Sequence, residues 1–250
     1  MYKFIRNSII TIIISALFFS LPASAEEKIH AGVAANYIQV FKELAAAFKE
    51  KTGIVVEATF TSSGSLYGQI TNGAPYDIFL SADEDRPARL YREGLADKPF
   101  TYATGQVVLW SAKKDFCKAA DWTIAIKSSS VRRIAMANPE TAPYGLSAMK
   151  ALQNSGLYES LKLKIVNSQD IAQAFQYTST EAVDAGFCSI SAVYSPQGKT
   201  GCYYTIKEAP AVIQSACILK NSKNRSAAEK FAAFITSKEA VKIKEKYGYR

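Results

Sequence analysis

Hydrophobic and polar positions follow two different rhythms along the chain. Short apolar runs rich in β-branched residues are each followed by longer segments whose apolar residues lie three and four positions apart. The helical rhythm is clearest over 36–53, where Phe41, Leu44, Ala45 and Phe48 share one face and Gly53 ends the segment. The pattern predicts strands at 28–35, 54–60, 76–82, 105–112, 132–139, 163–168, 185–191 and 214–220, and helices at 36–53, 65–73, 85–95, 145–156, 170–179, 226–237 and 238–248. This alternation predicts an α/β fold with parallel sheets covered by helices on both faces.

The first 25 residues have the pattern of a secretory leader. Lys3 and Arg6 precede an apolar run over 9–19, and small residues then lead to a predicted cleavage site after Ala25. The apolar run is shorter than the roughly 20 residues that a membrane-spanning helix needs. We therefore predict a signal peptide at 1–25 and an exported, periplasmic mature protein.

The mature chain is basic without a basic patch. The whole chain has a formal net charge of +8, which falls to +6 after cleavage because Lys3 and Arg6 are the only charged residues of the leader. The remaining cations are scattered and interleaved with acidic residues, as in "KIKEKYGYR". This distribution suits solvation of the surface and argues against a nucleic-acid partner.

Cysteine usage argues against a metal site and leaves the disulfides open. His30 is the single histidine, and none of the four cysteines belongs to a CxxC pair, so a zinc site is not expected. Cys188 and Cys217 lie in apolar runs that suit buried thiols, whereas Cys117 and Cys202 lie in polar, loop-like contexts. Disulfides are permitted in an exported protein, and four cysteines allow three pairings.

The motifs of the common enzyme classes are absent from the sequence. There is no G-x-S-x-G, P-loop or G-x-G-x-x-G pattern, and His30 is the single candidate for a histidine base. Asp83 and Asp85 lie at a predicted helix start, where acidic residues are favoured by the helix dipole. The chain is therefore not expected to be an enzyme, and a secreted hydrolase remains a weak alternative.

A run of small residues marks the junction between a predicted strand and the following helix. Ser62, Ser63, Gly64 and Ser65 lie there, in the segment "EATFTSSGSLYGQI". Serine at such a junction commonly caps the helix. The free N–H groups of a helix start also form an anion site. Both interpretations remain open on these residues alone.

Two adjacent tyrosines raise a second possibility. Tyr203 and Tyr204 are similar to the paired tyrosines of exported ferric-ion-binding proteins. Neighbouring side chains of a strand point in opposite directions, however, which favours a structural role. A binding protein for ferric ion, or for another oxyanion, is therefore kept as a minor alternative.

Several longer blocks resemble the periplasmic molybdate-binding proteins of ABC importers. They are "AGVAANYIQVFKELAAAFKEKTG", "QITNGAPYDIFLSAD", "ANPETAPYG", "NSQDIAQAFQYTSTEAVDAGFCSIS" and "AAFITSKEAVKIKEKYGY". The resemblance covers nearly the whole mature chain. It implies the two-lobed periplasmic-binding-protein fold with a hinge, each lobe being a mostly parallel sheet flanked by helices. The implied function is capture of molybdate, and also tungstate, by a monomer that delivers it to a membrane permease, with no cofactor.

The resemblance also implies a set of oxyanion-binding residues. The first binding loop of the family corresponds to Asn36 with the backbone of Ala35, and the serine of the second loop corresponds to Ser63. In the second lobe, the backbone N–H groups of Tyr144 and Ile171 match donors at two helix starts. No catalytic residue and no direct metal ligand is implied, because the metal is bound as an oxyanion.

One position departs from the pattern of the family. Some relatives have a further tyrosine where this chain has Ser189. The residue that supplies the corresponding hydrogen-bond donor in this chain is therefore not determined. Tyr144 is a candidate to replace that tyrosine. Neutral donors at several helix starts can surround a tetrahedral dianion, each charge-assisted bond contributing roughly 1.5–3 kcal/mol. Selection among oxyanions is then expected to depend on the size of the cavity.

The implied hinge divides the chain into discontinuous lobes. The strands at 105–112 and 214–220 are expected to cross between the lobes. Lobe 1 is then predicted at 26–106 and 217–250, and lobe 2 at 107–216.

Overall fold

The computed structural model describes residues 27–250. The predicted leader and its cleavage site after Ala25 lie outside the described residues. Within the described range, no helix combines the length and the mean hydropathy required to cross a membrane.

Ten strands and ten α-helices make up the described chain. The strands are β1 Lys28–Ala34, β2 Val55–Thr61, β3 Ile78–Leu80, β4 Phe100–Gly105, β5 Val107–Ser111, β6 Ile134–Ala137, β7 Ile165–Ser168, β8 Ala185–Ser189, β9 Cys202–Thr205 and β10 Val212–Ile218. The α-helices are α1 Ile38–Thr52, α2 Ser63–Thr71, α3 Asp85–Arg92, α4 Trp122–Lys127, α5 Pro143–Asn154, α6 Tyr158–Leu161, α7 Ile171–Ser179, α8 Ile190–Val193, α9 Arg225–Ile235 and α10 Lys238–Glu245. Short 3-10 turns lie at Ala35–Tyr37, Lys114–Lys118, Lys162–Lys164 and Gly198–Thr200.

The strands form two five-stranded sheets with matching topology. Their strand orders are β2-β1-β3-β10-β4 and β7-β6-β8-β5-β9. In each sheet the first three strands are parallel, and the strand next to them, β10 or β5, runs antiparallel to both of its neighbours. The predicted two-lobed α/β fold is confirmed, with the parallel pairing confined to three strands of each sheet.

Helix α1 shows how the sequence pattern builds the first lobe. Phe41, Leu44 and Phe48 are buried against the first sheet, and Ala45 is partly buried beside them. Gly53 ends the helix because its φ of +75° lies in the left-handed region that favours glycine. The apolar face of α1 thus packs in the same core as the buried residues of β1 and β2.

The cysteine pairing left open by the sequence lies in the second lobe. Cys117 and Cys202 form a disulfide that joins the turn Lys114–Lys118 to β9. Cys188 and Cys217 are buried free thiols. Burial raises the pKa of Cys217 to about 12, so this thiol stays protonated at neutral pH.

The chain passes between the two sheets at two points. The first crossing is Gln106, between β4 and β5, and the second covers residues 206–211, between β9 and β10. Strand β10 pairs only with β3 and β4 of the first sheet, beginning with Val212 opposite Gly105. Residues 212–216 therefore pair within the first sheet, whereas the expected boundary at 217 placed them in lobe 2. The apolar run that marks this strand begins later than the strand itself, because buried Gln214 and Ser215 interrupt it.

Candidate functional site

Four helix starts converge on one small cavity between the two sheets. The turn Ala35–Tyr37 and α2 approach from the first sheet, and α5 and α7 approach from the second. The cavity gives the centre of a water-sized sphere a volume of about 10 Å³. Its lining residues are Ala34, Ala35, Asn36, Ser62, Ser63, Ala82, Ala142, Pro143, Tyr144, Asp170 and Ile171. The structure therefore brings all five residues named by the sequence resemblance, Ala35, Asn36, Ser63, Tyr144 and Ile171, to one place.

The parallel strands explain why these helix starts meet. Strands β1 and β2 run in the same direction in the first sheet, as do β6 and β7 in the second, and each is followed by one of the four helix starts. The first N–H groups of a helix lack a carbonyl partner within the helix. The helix dipole adds partial positive charge at the same end. The cavity is therefore surrounded by backbone hydrogen-bond donors.

The serine junction at the start of α2 contains two serines with different roles. Ser62 is the helix cap, and its Oγ accepts a hydrogen bond from the Ser65 N–H at 3.3 Å. Ser63 is fully buried, and its Oγ accepts the Ala82 N–H at 2.9 Å. Because a hydroxyl can accept and donate at the same time, the Ser63 proton remains available to a partner in the cavity. The cap interpretation thus applies to Ser62.

Asn36 lines the cavity but directs its side-chain amide into the protein. Its Nδ2 donates to Gln214 Oε1 at 2.8 Å and to Tyr249 Oη at 2.9 Å. Its backbone carbonyl accepts from Ser191 Oγ at 2.7 Å and from Tyr249 Oη at 2.8 Å. The groups of this loop that remain for a ligand are therefore the backbone N–H groups at the start of the turn, those of Ala35 and Asn36.

Tyr144 also keeps its polar side-chain atom away from the cavity. Its hydroxyl lies 3.3 Å from Gln214 Nε2 and rests on Gly105, where a Cβ would be 1.9 Å from it. Burial raises the pKa of Tyr144 well above its ordinary value, so the phenol is neutral. Helix α5 sits close to β6 because the next residue is Gly145, where a Cβ would lie 2.0 Å from the Ala137 carbonyl oxygen. Tyr144 thus reaches the cavity through its backbone.

Ile171 is the first residue of α7 and is anchored by its side chain in the second-lobe core. The preceding Asp170 caps the helix, its Oδ1 accepting the Gln173 N–H at 2.9 Å. The carboxylate of this lining residue is therefore already occupied by a backbone donor. This arrangement leaves the Ile171 N–H in the unpaired first turn, next to the cavity.

Within the described chain, the cavity lining has no cationic side chain despite the basic net charge, and its one carboxylate, Asp170, accepts a backbone N–H. Among the residues from 27 onwards, those that line the cavity include no Lys, Arg or His. A ligand held here would be bound by neutral donors and helix dipoles. Such donors attract anions without adding a full positive charge to the site.

Direct contacts close the cleft over the cavity. The Gly64 N–H, on α2, donates to the Thr141 carbonyl oxygen across the cleft at 2.8 Å. A Cβ at Gly64 would lie 2.9 Å from Thr141 Cα, so the two backbones meet without room for a side chain. Arg86 Nη2 also donates across the cleft to the Glu140 carbonyl oxygen at 2.9 Å. The described conformation is therefore a closed one.

The tyrosine pair does not contribute to this cavity. Tyr204 donates its hydroxyl to the Ala119 carbonyl oxygen at 2.7 Å, and Tyr203 is 39% exposed on the opposite face of β9. Within residues 27–250, no group of three or more His, Cys, Asp or Glu side chains could hold a metal ion. Tyr203 and Tyr204 therefore do not converge on one ligand position.

Ser189 lies behind the cavity without lining it. Its hydroxyl is 2.9 Å from that of Ser191, which in turn donates to the Asn36 carbonyl oxygen. The site also depends on residues that the sequence did not single out, Gln214 and Tyr249, which hold Asn36. They lie 178 and 213 positions away from Asn36, so no local pattern could connect them.

Comparison with known proteins adds an independent line of evidence. The family model described as bacterial extracellular solute-binding protein matches residues 29–250. A Rhodobacter capsulatus protein named molybdate-binding protein ModA is 39% identical over 232 residues, which cover 92% of this chain and 90% of that protein. The Azotobacter vinelandii protein of the same name is 35% identical over 238 residues, covering 91% of each chain.

A solved structure shows the same architecture. The periplasmic molybdate-binding protein of Azotobacter vinelandii superimposes with a TM-score of 0.84 at 33% sequence identity, covering 89% of this chain and 98% of that one. The likeness extends over both lobes, since the match includes nearly the whole of the solved chain.

Proposed function

The chain belongs to the bacterial extracellular solute-binding protein family, and from this membership we propose that it captures molybdate between its two lobes. It is a binding protein and not an enzyme. We extend the proposal to tungstate as a second ligand, to a periplasmic location after cleavage at Ala25, and to delivery of the anion to the membrane permease of an ABC importer.

The convergence of four helix starts on one closed cavity carries this proposal. A tetrahedral dianion presents four oxygens, and each can accept more than one hydrogen bond. The Ser63 hydroxyl and the backbone N–H groups of Ala35, Asn36, Tyr144 and Ile171 supply donors from opposite sides of the cavity. Charge-assisted hydrogen bonds of this kind contribute roughly 1.5–3 kcal/mol each. Together they can bind a dianion tightly without a cationic side chain.

Size is the property by which such a site would select its ligand. Sulfate and molybdate offer similar acceptors, so donor chemistry alone does not separate them. Next to the lining residues, backbone segments are in direct contact, Gly64 with Thr141 and Gly145 with Ala137, and backbone adjusts less readily than a long side chain. A smaller oxyanion would leave some donors beyond hydrogen-bond reach.

Release requires the lobes to separate. The two crossings, Gln106 and residues 206–211, are the covalent connections between the sheets and form the hinge in this proposal. Of the described residues, lobe 1 then comprises 27–105 and 212–250, and lobe 2 comprises 107–205. Opening breaks the Gly64–Thr141 hydrogen bond and divides the donor set between the lobes. A permease that favours the open state would thereby lower the affinity for the anion.

A calorimetric titration tests the proposal. The mature protein, residues 26–250, is titrated with molybdate, tungstate, sulfate, phosphate and ferric ion at one pH and ionic strength. We expect 1:1 binding of molybdate and tungstate, with sulfate and phosphate at least about a hundredfold weaker, a difference of about 2.7 kcal/mol. Equal affinity for sulfate would overturn the size argument, and tight ferric binding with no oxyanion response would overturn the proposed ligand class.

A further inference from the structure

Residues 248–250 lie beside the closed cleft. After α10, Gly248 adopts a φ of +77° and turns the chain back toward β4. Arg250 and Thr104 then exchange two backbone hydrogen bonds, of 2.7 and 3.0 Å. Thr104 lies two residues before the crossing residue Gln106. The C-terminal residues are therefore attached to β4, two residues before the first crossing.

This attachment places the side chain of Tyr249 behind the anion cavity. The ring is buried and packs edge-to-face on Tyr37 with 5.1 Å between ring centroids. The hydroxyl donates to the Asn36 carbonyl oxygen at 2.8 Å and accepts from Asn36 Nδ2 at 2.9 Å. One phenol thus holds both the backbone and the side chain of a residue that lines the cavity.

The same hydroxyl connects the two lobes. It lies 3.2 Å from Ser191 Oγ, on α8 of the second lobe, and Ser191 donates to the same Asn36 carbonyl oxygen at 2.7 Å. Gly248 approaches that helix closely, since a Cβ there would lie 2.9 Å from the Ile190 side chain. The two lobes therefore contact each other here through Gly248 and Tyr249, in addition to their contacts around the cavity.

The hydrogen-bond network around Asn36 is neutral and reaches a second cavity residue. Its members are Asn36, Tyr102, Tyr144, Ser191, Gln214 and Tyr249. Burial raises the pKa of Tyr102, Tyr144 and Tyr249, so the phenols carry no charge that would repel an anion. In a buried network, loss of one member leaves another polar group without a partner.

We propose that Tyr249 is a positioning residue of the anion site, whose hydroxyl fixes Asn36 in its donor conformation and couples it to Ser191 across the cleft. The inference rests on the proposed function, because the anion is the ligand whose retention it explains. Tyr249 does not touch the cavity. It acts through Asn36, and chiefly when the lobes are closed, so it governs dissociation of the anion more than association.

Stopped-flow binding of molybdate to the Tyr249→Phe protein tests this inference. The substitution keeps the ring and its packing on Tyr37 and removes one hydroxyl. We expect the dissociation rate to rise about tenfold, as for loss of a hydrogen bond to buried partners, while the association rate changes less than threefold. Tyr247→Phe is the matched control, because its hydroxyl bonds Glu43 at 2.9 Å on the surface, and it should leave both rates at the wild-type values.

A double substitution separates positioning from simple stabilisation. The Asn36 carbonyl oxygen has two side-chain donors, Tyr249 and Ser191, so either one partly replaces the other. Tyr249→Phe with Ser191→Ala should therefore accelerate dissociation by more than the product of the two single effects. A purely structural hydroxyl would lower the thermal midpoint of the free protein and leave the dissociation rate unchanged, which would overturn the inference. If wild type binds no molybdate, the proposed function itself fails.

Discussion

In the proposed site, the two sides of the cavity offer hydrogen-bond donors of different kinds. The first lobe contributes a side-chain hydroxyl, that of Ser63, together with the backbone start of the Ala35–Tyr37 turn. The second lobe contributes Tyr144 and Ile171, whose side chains are used for the network and the core, so its donors are backbone N–H groups. Ligand binding should therefore depend on side-chain identity at the first-lobe wall and on backbone geometry at the second-lobe wall.

This difference determines which substitutions can test each wall. Replacing a side chain removes a donor at Ser63 but cannot remove one at Ile171. Proline can, because it lacks the N–H and is tolerated at the first position of a helix. The seam where the walls meet, Gly64 against Thr141, is sensitive to volume alone.

The largest effect is expected at that seam. Gly64→Ala adds a Cβ 2.9 Å from Thr141 Cα, so the lobes cannot close fully. Overpacking of this kind costs about 3 kcal/mol, which corresponds to a loss of roughly a hundredfold in molybdate affinity. Calorimetric titration with molybdate measures this loss of affinity. Gly68→Ala, on the same helix with nothing within 4 Å of its Cβ, is the control and should bind like wild type. Equal affinities for the two variants would contradict a closed ligand-bound form.

The second-lobe wall is tested by Ile171→Pro. Asp170 has extended backbone angles, φ −149° and ψ 177°, which suit a residue before proline. Loss of one charge-assisted N–H donor should weaken molybdate binding by about 2 kcal/mol, roughly thirtyfold. Lys238→Pro makes the same change at the exposed start of α10, away from the cavity, and Ile171→Ala controls for the lost packing. Binding by Ile171→Pro no weaker than that of Ile171→Ala would exclude this backbone donor.

At the first-lobe wall, Ser63→Ala should have a smaller effect. It removes one hydroxyl donor while the neighbouring N–H groups remain, so we expect a loss of about 1.5 kcal/mol, or roughly tenfold in molybdate affinity. It also leaves the Ala82 N–H without its acceptor, which lowers the unfolding free energy. Ser237→Ala removes a cap from α10 and should reduce stability without changing affinity. The same affinity in wild type and Ser63→Ala would remove Ser63 from the site.

The smallest effect on binding is expected from the disulfide. Cys117 and Cys202 are 85 positions apart, and opening a loop of that length costs about 4–5 kcal/mol of stability in the chain-entropy account. The double substitution Cys117→Ala with Cys202→Ala should therefore lower the denaturant midpoint markedly. Neither cysteine lines the cavity, so molybdate affinity at a temperature where the protein is folded should change less than about twofold. A tenfold loss would link the disulfide to the site.

Local sequence patterns predicted the helices and strands whose apolar residues follow a regular period. Helix α1, with its apolar face and Gly53 stop, was confirmed, as was the alternation that produces two α/β lobes. Strand β4, Phe100–Gly105, was not predicted because its Thr and Gly residues interrupt the apolar pattern. The second crossing was expected later in the chain because buried Gln214 interrupts the apolar run of β10.

The candidate site was likewise predicted only in part from the sequence. The resemblance to a family named residues that the fold does bring together, whereas local chemistry could not decide between a cap and a ligand at the serine junction. The structure separates these roles between Ser62 and Ser63, one residue apart. The support of Asn36 by Tyr249 joins positions 213 apart, and neither residue carries a local signal of that contact.

Small-angle scattering of the mature protein with and without molybdate tests the central claim most directly, namely that donors from two lobes meet only when the cleft closes on the anion. Calorimetry on the same samples establishes saturation. We expect wild type to show a smaller radius of gyration with molybdate, and Gly64→Ala to show less contraction at saturating ligand. An unchanged radius of gyration in saturated wild type, or equal contraction in the two proteins, would contradict the account.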